Sequence, residues 1–182
     1  MTDYSAAAGT WDIDAAHTNV GFSARHAMVA KTRGRFADVS GTITIDADAP
    51  EKSSTQVTIK TDSVDTRNDQ RDGHLKSADF FDVEKNPEIT FVSTGITNKG
   101  DDEFILTGDL TISGVTKSVD VDVEYLGVND DAFGNTRIGF EGKAEVSRKD
   151  FGLTWNAAIE GGGVMVSDKI KIELDVEGIK QA

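Results

Sequence analysis

The amino-acid sequence predicts an all-β domain with one or two short helices, its antiparallel strands closing into an extended eight-stranded barrel. Three observations carry that expectation. Apolar and polar residues alternate with period two through most of the chain, as strands with one wet and one buried face require. Eighteen glycines but only two prolines, Pro50 and Pro87, punctuate the 182 residues, and no Pro/Ser-rich linker divides them. The apolar share of 37% suits one core in one domain. We therefore expect a flexible N-terminus over 1–9 and a single barrel domain over 10–179.

The first long strand places Val20, Phe22, Ala24, His26 and Met28 on one parity, which directs His26 inward and leaves His17 on the opposite face. Ile43/Ile45 and Val57/Ile59 mark the next two. From Thr66 to Asp82 the period is lost and cap-type residues open the stretch, which predicts a short helix there despite Gly73. Ile89/Phe91 and Leu110/Ile112 resume the alternation, and Ile112–Lys117 reads as a hairpin turn because it lacks the spacing of a phosphate loop. Val119, Val121, Val123 and Tyr125 then stand opposite Asp120, Asp122 and Glu124; Ile138/Phe140 follow. Arg148 and Asp150 read as an ion pair or turn brace. Gly161–Gly162–Gly163 reads as a turn, since no helix pattern follows it to make a phosphate cradle. The last strand sets Ile170, Ile172, Leu174 and Val176 against Lys169, Lys171, Glu173, Asp175 and Glu177. Strands near ten residues, about 3.3 Å each, favour a barrel because exposed long edges invite aggregation. An eight-stranded barrel either fills with side chains or holds one small ligand, and periodicity allows both.

The formal net charge is −13. Averaged over the molecule, that repels phosphate backbones and anionic headgroups, so neither a nucleic-acid partner nor electrostatic docking on a membrane is expected. The acids fall on outward faces, where they serve solubility. There is no cysteine, hence no disulfide, thiolate nucleophile or Cys-ligated centre. No basic n-region with an apolar h-region opens the chain and no stretch reaches the length of a membrane span, so a cytoplasmic protein without stable membrane insertion is expected. Neither His-Glu-x-x-His nor Gly-x-Ser-x-Gly occurs. We expect no metal, no cofactor and no catalytic residue.

The candidate site is the inside of the barrel. Phe22, Phe36, Phe80, Phe81, Phe91, Phe140, Phe151 and Trp155 are the candidate apolar lining, and each has core filling as its plain alternative. His26, Arg67 and Asn68 are candidate polar groups at the mouth, where they would orient the head of an apolar ligand.

Several ordered blocks resemble the YceI-like family of lipocalin-like polyisoprenoid-binding proteins. The first holds Trp11, Asp14, His17, Thr18, Val20, Phe22 and His26, followed by Gly34, Arg35, Phe36 and Gly41. Thr66, Asp69, Leu75, Ser77, Phe80–Phe81–Asp82 and Pro87 form the next. Gly108–Lys117 and Arg148-x-Asp150-Phe151-Gly152 complete the pattern, with Val166 and Asp168 before the last strand. The resemblance implies an eight-stranded antiparallel barrel with a long apolar lumen, a helix packed at one side, and a possible homodimer. It also implies the function we expect: a soluble carrier of a long isoprenoid lipid, an isoprenoid quinone or a polyprenyl compound. A stress-associated protein–protein interaction module with a filled barrel is the alternative, and an enzyme acting on a hydrophobic substrate through His26 or a lumen carboxylate is a third reading.

Overall fold

A computed structural model describes residues 2–159, 163 and 165–182. Eleven strands form one sheet that closes on itself as eight long staves. The first three staves are each broken in two. β1 (Gly9–Ile13) and β2 (Asn19–His26) are separated by a 3-10 turn over Ala15–His17, which Asp14 caps by accepting from the Ala16 N–H at 3.1 Å. β3 (Ala30–Phe36) and β4 (Val39–Ile45) make the second stave, β5 (Ser54–Lys60) and β6 (Val64–Asp65) the third. β7 (Glu88–Gly100), β8 (Glu103–Ile112), β9 (Val115–Asp130), β10 (Thr136–Ser147) and β11 (Lys169–Lys180) are unbroken.

Each stave pairs antiparallel with its neighbour in sequence, and β11 closes the ring by pairing β1 through Trp11↔Lys180 and Ile13↔Gly178 and β2 through Lys171↔Ser23 to Asp175↔Asn19. The all-β barrel expectation holds. So does the hairpin at Ser113–Gly114, whose two residues take the positive φ of 52° and 77° that a tight strand connection needs.

Local departures have local causes. Met28 does not continue the inward row: Ala27 and Met28 have φ of 49° and 62° and turn the chain from β2 into β3, leaving Met28 63% exposed. The helix, α1 (Asp69–Lys76), is shorter than the Thr66–Asp82 expectation. Asn68 caps its start by accepting from the Arg71 N–H at 2.9 Å, and Ser77 ends it in extended backbone, after which tight turns carry the chain through Asp82. Arg148 braces its turn, but its carboxylate neighbour is Asp168 at 3.6 Å and not Asp150. Gly161 and Gly162 lie outside the described residues.

Two bulges keep long strands facing the right way. The register shift that leaves Thr94 unpaired puts Phe91 and Ile96, of opposite parity, on the same inner wall. A second leaves Leu126 out of the β9–β10 ladder, 54% exposed, and lets both Tyr125 and Val128 pack with the cluster of Ala7, Trp11, Ile43 and Ile138. That cluster sits toward the end of the barrel where both termini meet. A second one, built on Phe36, Val39, Ile59, Val64, Ile89, Leu110, Phe151 and Leu153, lies toward the α1 end.

On the outside, Arg137 gathers Asp131 at 2.6 Å, Asp14 at 2.8 Å and Glu177 at 3.0 Å. The Arg137 guanidinium holds the Asp14 and Asp131 carboxyls below the usual carboxylate range. Tying together the β1–β2 turn, the β9–β10 turn and β11, this cluster pins the seam where the barrel closes. Among the described residues no helix is long and apolar enough to cross a membrane.

Candidate functional site

The inward rows of the staves enclose one apolar cavity of about 610 Å³ that extends along the barrel from Tyr4 and Ala7 at one end to His74, Trp155 and Met165 at the other. Its wall is made by strand alternation alone: Val119, Val121 and Val123 from β9 face Ile170, Ile172 and Leu174 from β11. Two glycines make room for rings. A Cβ on Gly108 would collide with the Phe91 ring, and one on Gly34 would meet the Phe22 ring and Cγ2 of Thr66. Large aromatic side chains thus lie flat along the wall.

The end where the termini meet is plugged by residues that precede β1. A 3-10 turn over Ser5–Ala7 buries Ala7, whose carbonyl accepts from Nε1 of the fully buried Trp11 at 2.9 Å. Tyr4 packs against Phe104 and Tyr125 with ring centroids 5.8 and 5.4 Å apart, and its hydroxyl donates to Oδ1 of Asp102 at 3.0 Å. Burial raises the pKa of both tyrosines, and the Asp102 bond adds to the shift at Tyr4.

The other end is closed by the segment after β6 and the segment after β10. Arg71, His74 and Leu75 share the face of α1 that lines the cavity, as an i, i+3, i+4 set must. Arg71 is held by Thr66, donating through Nε to the hydroxyl at 2.8 Å and through Nη2 to the carbonyl at 2.7 Å. Thr66 in turn donates its N–H and hydroxyl to Asp72. The His74 ring stands edge-on to Phe80 and Trp155, centroids 5.1 and 4.6 Å away, and bonds Asp79 through Nε2 at 2.8 Å. Beneath them Phe22, Phe36 and Phe81 form a continuous aromatic run, with centroid separations of 5.4 and 5.7 Å.

Arg148 organises the second segment. Only 4% exposed, it donates to the carbonyls of Ser167, Leu153, Trp155 and Val166 at 2.7 to 3.2 Å and so fixes the loop that presents Trp155 to the cavity. Burial pushes its guanidinium below the ordinary arginine value, with Asp168 opposing the shift.

All eight aromatic candidates, Phe22, Phe36, Phe80, Phe81, Phe91, Phe140, Phe151 and Trp155, line this cavity, as does His26. Arg67 and Asn68 do not. Arg67 takes a left-handed backbone (φ 60°) that turns it to solvent, and the Asn68 side chain is occupied in capping α1. The polar groups at this end are instead Arg71 and His74, together with His26. The helical spacing of residues 71, 74 and 75 contains that information; the cap residues before it drew the choice to the wrong turn. Tyr4, Phe104 and Tyr125 were also missed, Tyr4 because it lies in the stretch expected to be flexible.

The three histidines lie apart. His17 bonds Asp14 at 2.8 Å on the outside, His26 is at the mouth and His74 is on α1. Among the described residues no three His, Asp or Glu side chains gather closely enough to hold a metal ion.

The comparisons agree with this architecture. Residues 11–178 match the family model described as YceI-like domain. Protein YceI of Salmonella newport (strain SL254) is 38% identical over 183 residues, covering 100% of this chain and 92% of its own length. The crystal structure of Burkholderia cenocepacia BcnA superposes with a TM-score of 0.77 at 25% identity, covering 91% of this chain and 98% of that one. A polyisoprenoid binding domain from Saccharophagus degradans has the same fold, with a TM-score of 0.72 at 15% identity over 94% of this chain and 98% of that domain. The chain belongs to the YceI-like family.

Proposed function

We propose that this barrel carries one long isoprenoid lipid, an isoprenoid quinone or a polyprenyl compound, with its tail along the lumen and its head beside α1, and that it does no chemistry on that lipid. The observation that carries this reading is the shape and polarity of the cavity. It is about 610 Å³, long and apolar along its wall; Arg71, His74 and His26 lie at the α1 end, whereas at the other end the hydroxyls of Tyr4, Ser53 and Thr55 are already bonded within the protein. A chain-like apolar molecule with a single polar head matches that distribution. The S. degradans neighbour, described as a polyisoprenoid binding domain, supports the ligand class.

The energetics suit a long tail. One isoprene unit has five carbons, so at about 0.8 kcal/mol per buried methylene-sized group it contributes roughly 3–4 kcal/mol on burial. Association and ordering cost about 4–15 kcal/mol. A single unit is therefore not retained, whereas several units exceed the cost. The aromatic run Phe22–Phe36–Phe81 follows the first part of such a tail and Tyr125–Phe140 the last.

Protein purified from a quinone-containing host should release a stoichiometric apolar molecule on solvent extraction, identified by mass, and native mass spectrometry should show the same mass on the intact chain. Phe22→Asp and Phe140→Asp place a charge against the tail and should each weaken binding at least tenfold while the circular dichroism spectrum is kept. Absence of any extractable molecule, together with no binding of titrated polyprenyl ligands, overturns the carrier reading. Turnover of the extracted lipid that His26→Ala abolishes while binding persists would replace it with an enzyme.

A further inference from the structure

The net charge of −13 hides a segregated segment. Residues 15–37 contain Arg25, Lys31, Arg33 and Arg35 and not one Asp or Glu, so this stretch carries +4 and the remainder −17. It folds as the β2–β3 hairpin. Lys31, Arg33 and Arg35 are all exposed, alternating along β3 with half-buried Thr32 and Gly34, and Arg25 lies opposite Lys31 across the ladder. Residues on one outward face of paired strands stand side by side, so four cations share one patch. Among the described residues none of the four makes an ion pair within 4 Å, although most basic residues near the barrel seam and the β10–β11 connection do.

The hairpin tip is apolar. Met28 is 63% and Val29 81% exposed, at the turn between the two basic strands. The patch also adjoins the cavity. The hairpin is bridged to the segment before β11, His26 pairing with Val166 and the Ala27 N–H donating to the Met165 carbonyl at 2.8 Å, and His26 and Thr32 line the cavity at this end. β3 pairs with β6 only at Arg35 and Phe36, so Ala30–Gly34 is a free edge beyond the closed ring.

We propose that the β2–β3 hairpin docks the molecule on an anionic phospholipid bilayer, with the α1 end of the barrel facing the membrane. Met28 and Val29 enter the boundary between headgroups and acyl chains, and Arg25, Lys31, Arg33 and Arg35 rest on the lipid phosphates. The acidic outer walls do not cancel this attraction. Charge interactions decay over about 10 Å at 0.1 M salt, so acids on the far parts of the strands count little, and at this end the carboxylates of Asp72 and Asp79 are taken up by Thr66 and His74. Asp65, opposite Arg35 across the β3–β6 ladder, offsets part of the charge at the base of the hairpin, and Asp168 is engaged by Lys149 at 3.2 Å. Two exposed apolar side chains at the tip favour a bilayer over a nucleic acid, whose phosphate backbone has nothing for them. The whole-molecule charge argument against membrane docking therefore gives way to the local distribution. Docking is a property of the hairpin surface and goes beyond the cargo reading, which it does not require.

The test is co-sedimentation of the full chain with vesicles of phosphatidylcholine containing about one third phosphatidylglycerol and no isoprenoid lipid, beside pure phosphatidylcholine vesicles. We expect binding to the anionic vesicles at least tenfold above that to the neutral ones, falling at least tenfold between 0.05 and 0.5 M salt, where the screening length shrinks from roughly 14 to roughly 4 Å. The variant K31Q/R33Q/R35Q should lose at least tenfold, and M28S/V29S should lose several-fold while keeping its salt dependence. K52Q/K99Q, exposed at the opposite end of the barrel, should bind as the parent does. All changed positions are exposed, and thermal melts check that the fold is kept; R33Q alone serves if the triple variant does not fold. Equal binding to both vesicle types, or unchanged binding by the hairpin variants, overturns the proposal. So does binding to duplex DNA in preference to vesicles with no dependence on Met28 and Val29. Because the vesicles lack isoprenoid, failure here leaves the extraction result for the cavity independent.

Discussion

Arg148 shows how much a single buried side chain does for this site. Its guanidinium reaches four backbone carbonyls at once, which hold the Leu153–Trp155 and Val166–Ser167 strands of the connection in register. Arg148→Met keeps the volume but leaves those carbonyls without their donor in a dry place. Hydrogen bonds to charged groups contribute about 1.5–3 kcal/mol each, and some carbonyls will find water, so a loss of roughly 3–5 kcal/mol in urea unfolding is expected. Arg148→Lys should recover little of it, because one ammonium cannot span the fork. A loss below about 1 kcal/mol for the Met variant would show that the loop holds itself. Arg148 was legible as a brace, since Arg-x-Asp at a strand end suggests one, but its partner was not: Asp168 comes from the far side of the connection, and backbone carbonyls leave no mark in a sequence.

Elements with clean alternation were readable, and those without it were not. β9 and β11 carry apolar residues at every second position, so which side chains face the cavity followed from parity alone. The breaks between β1 and β2, β3 and β4, and β5 and β6 depend on short turns set by tertiary closure, and the bulges at Thr94 and Leu126 on strand curvature; neither has a compositional signal. Of the eight aromatic cavity residues, Phe22, Phe36, Phe91 and Phe140 lie on strands and Phe80 and Phe81 just after the helix, whereas Phe151 and Trp155 lie in the turn and connection after β10 and were picked for residue type, not for periodicity. Arg71 and His74 were missed because the short helix expected within Thr66–Asp82 had no bounds assigned, which left its inner face undefined. Gly73 now has a definite environment: it lies within α1, and a Cβ there meets nothing within 4 Å. Gly73→Ala should stabilise by about 0.5–1 kcal/mol through the unfolded chain and helix propensity, raising the thermal midpoint by about 1–4 °C. A calorimetric midpoint that stays or falls would mean that α1 contributes nothing to the cooperative unit.

For the molecule as a whole, charge and cavity share one axis. The termini end is plugged by Tyr4 and Ala7; the α1 end gathers the hairpin cations, Arg71, His74 and His26 of the cavity and the two connecting segments. The barrel class was visible from the period and the lumen only from the family resemblance, whereas this arrangement emerges only when the staves are placed side by side, because the cations and the segments they adjoin are distant in sequence. The pairing order has a separate consequence for connectivity. Every stave neighbours its predecessor in the chain, and the ring closes where β1 meets β11, with the Gln181 N–H donating to the Thr10 carbonyl at 2.9 Å. A ring of hairpins whose last joint lies between the two ends of the polypeptide does not depend on which of its turns is cut. A circular permutant that joins residue 182 to residue 2 through a short flexible linker and opens between Ser113 and Gly114 should fold with the same near-ultraviolet spectrum, since only a two-residue turn is lost. Opening within β9 should instead prevent folding. If the Ser113–Gly114 permutant does not fold, the β8–β9 hairpin is a required starting point for folding, and the barrel is built outward from that turn.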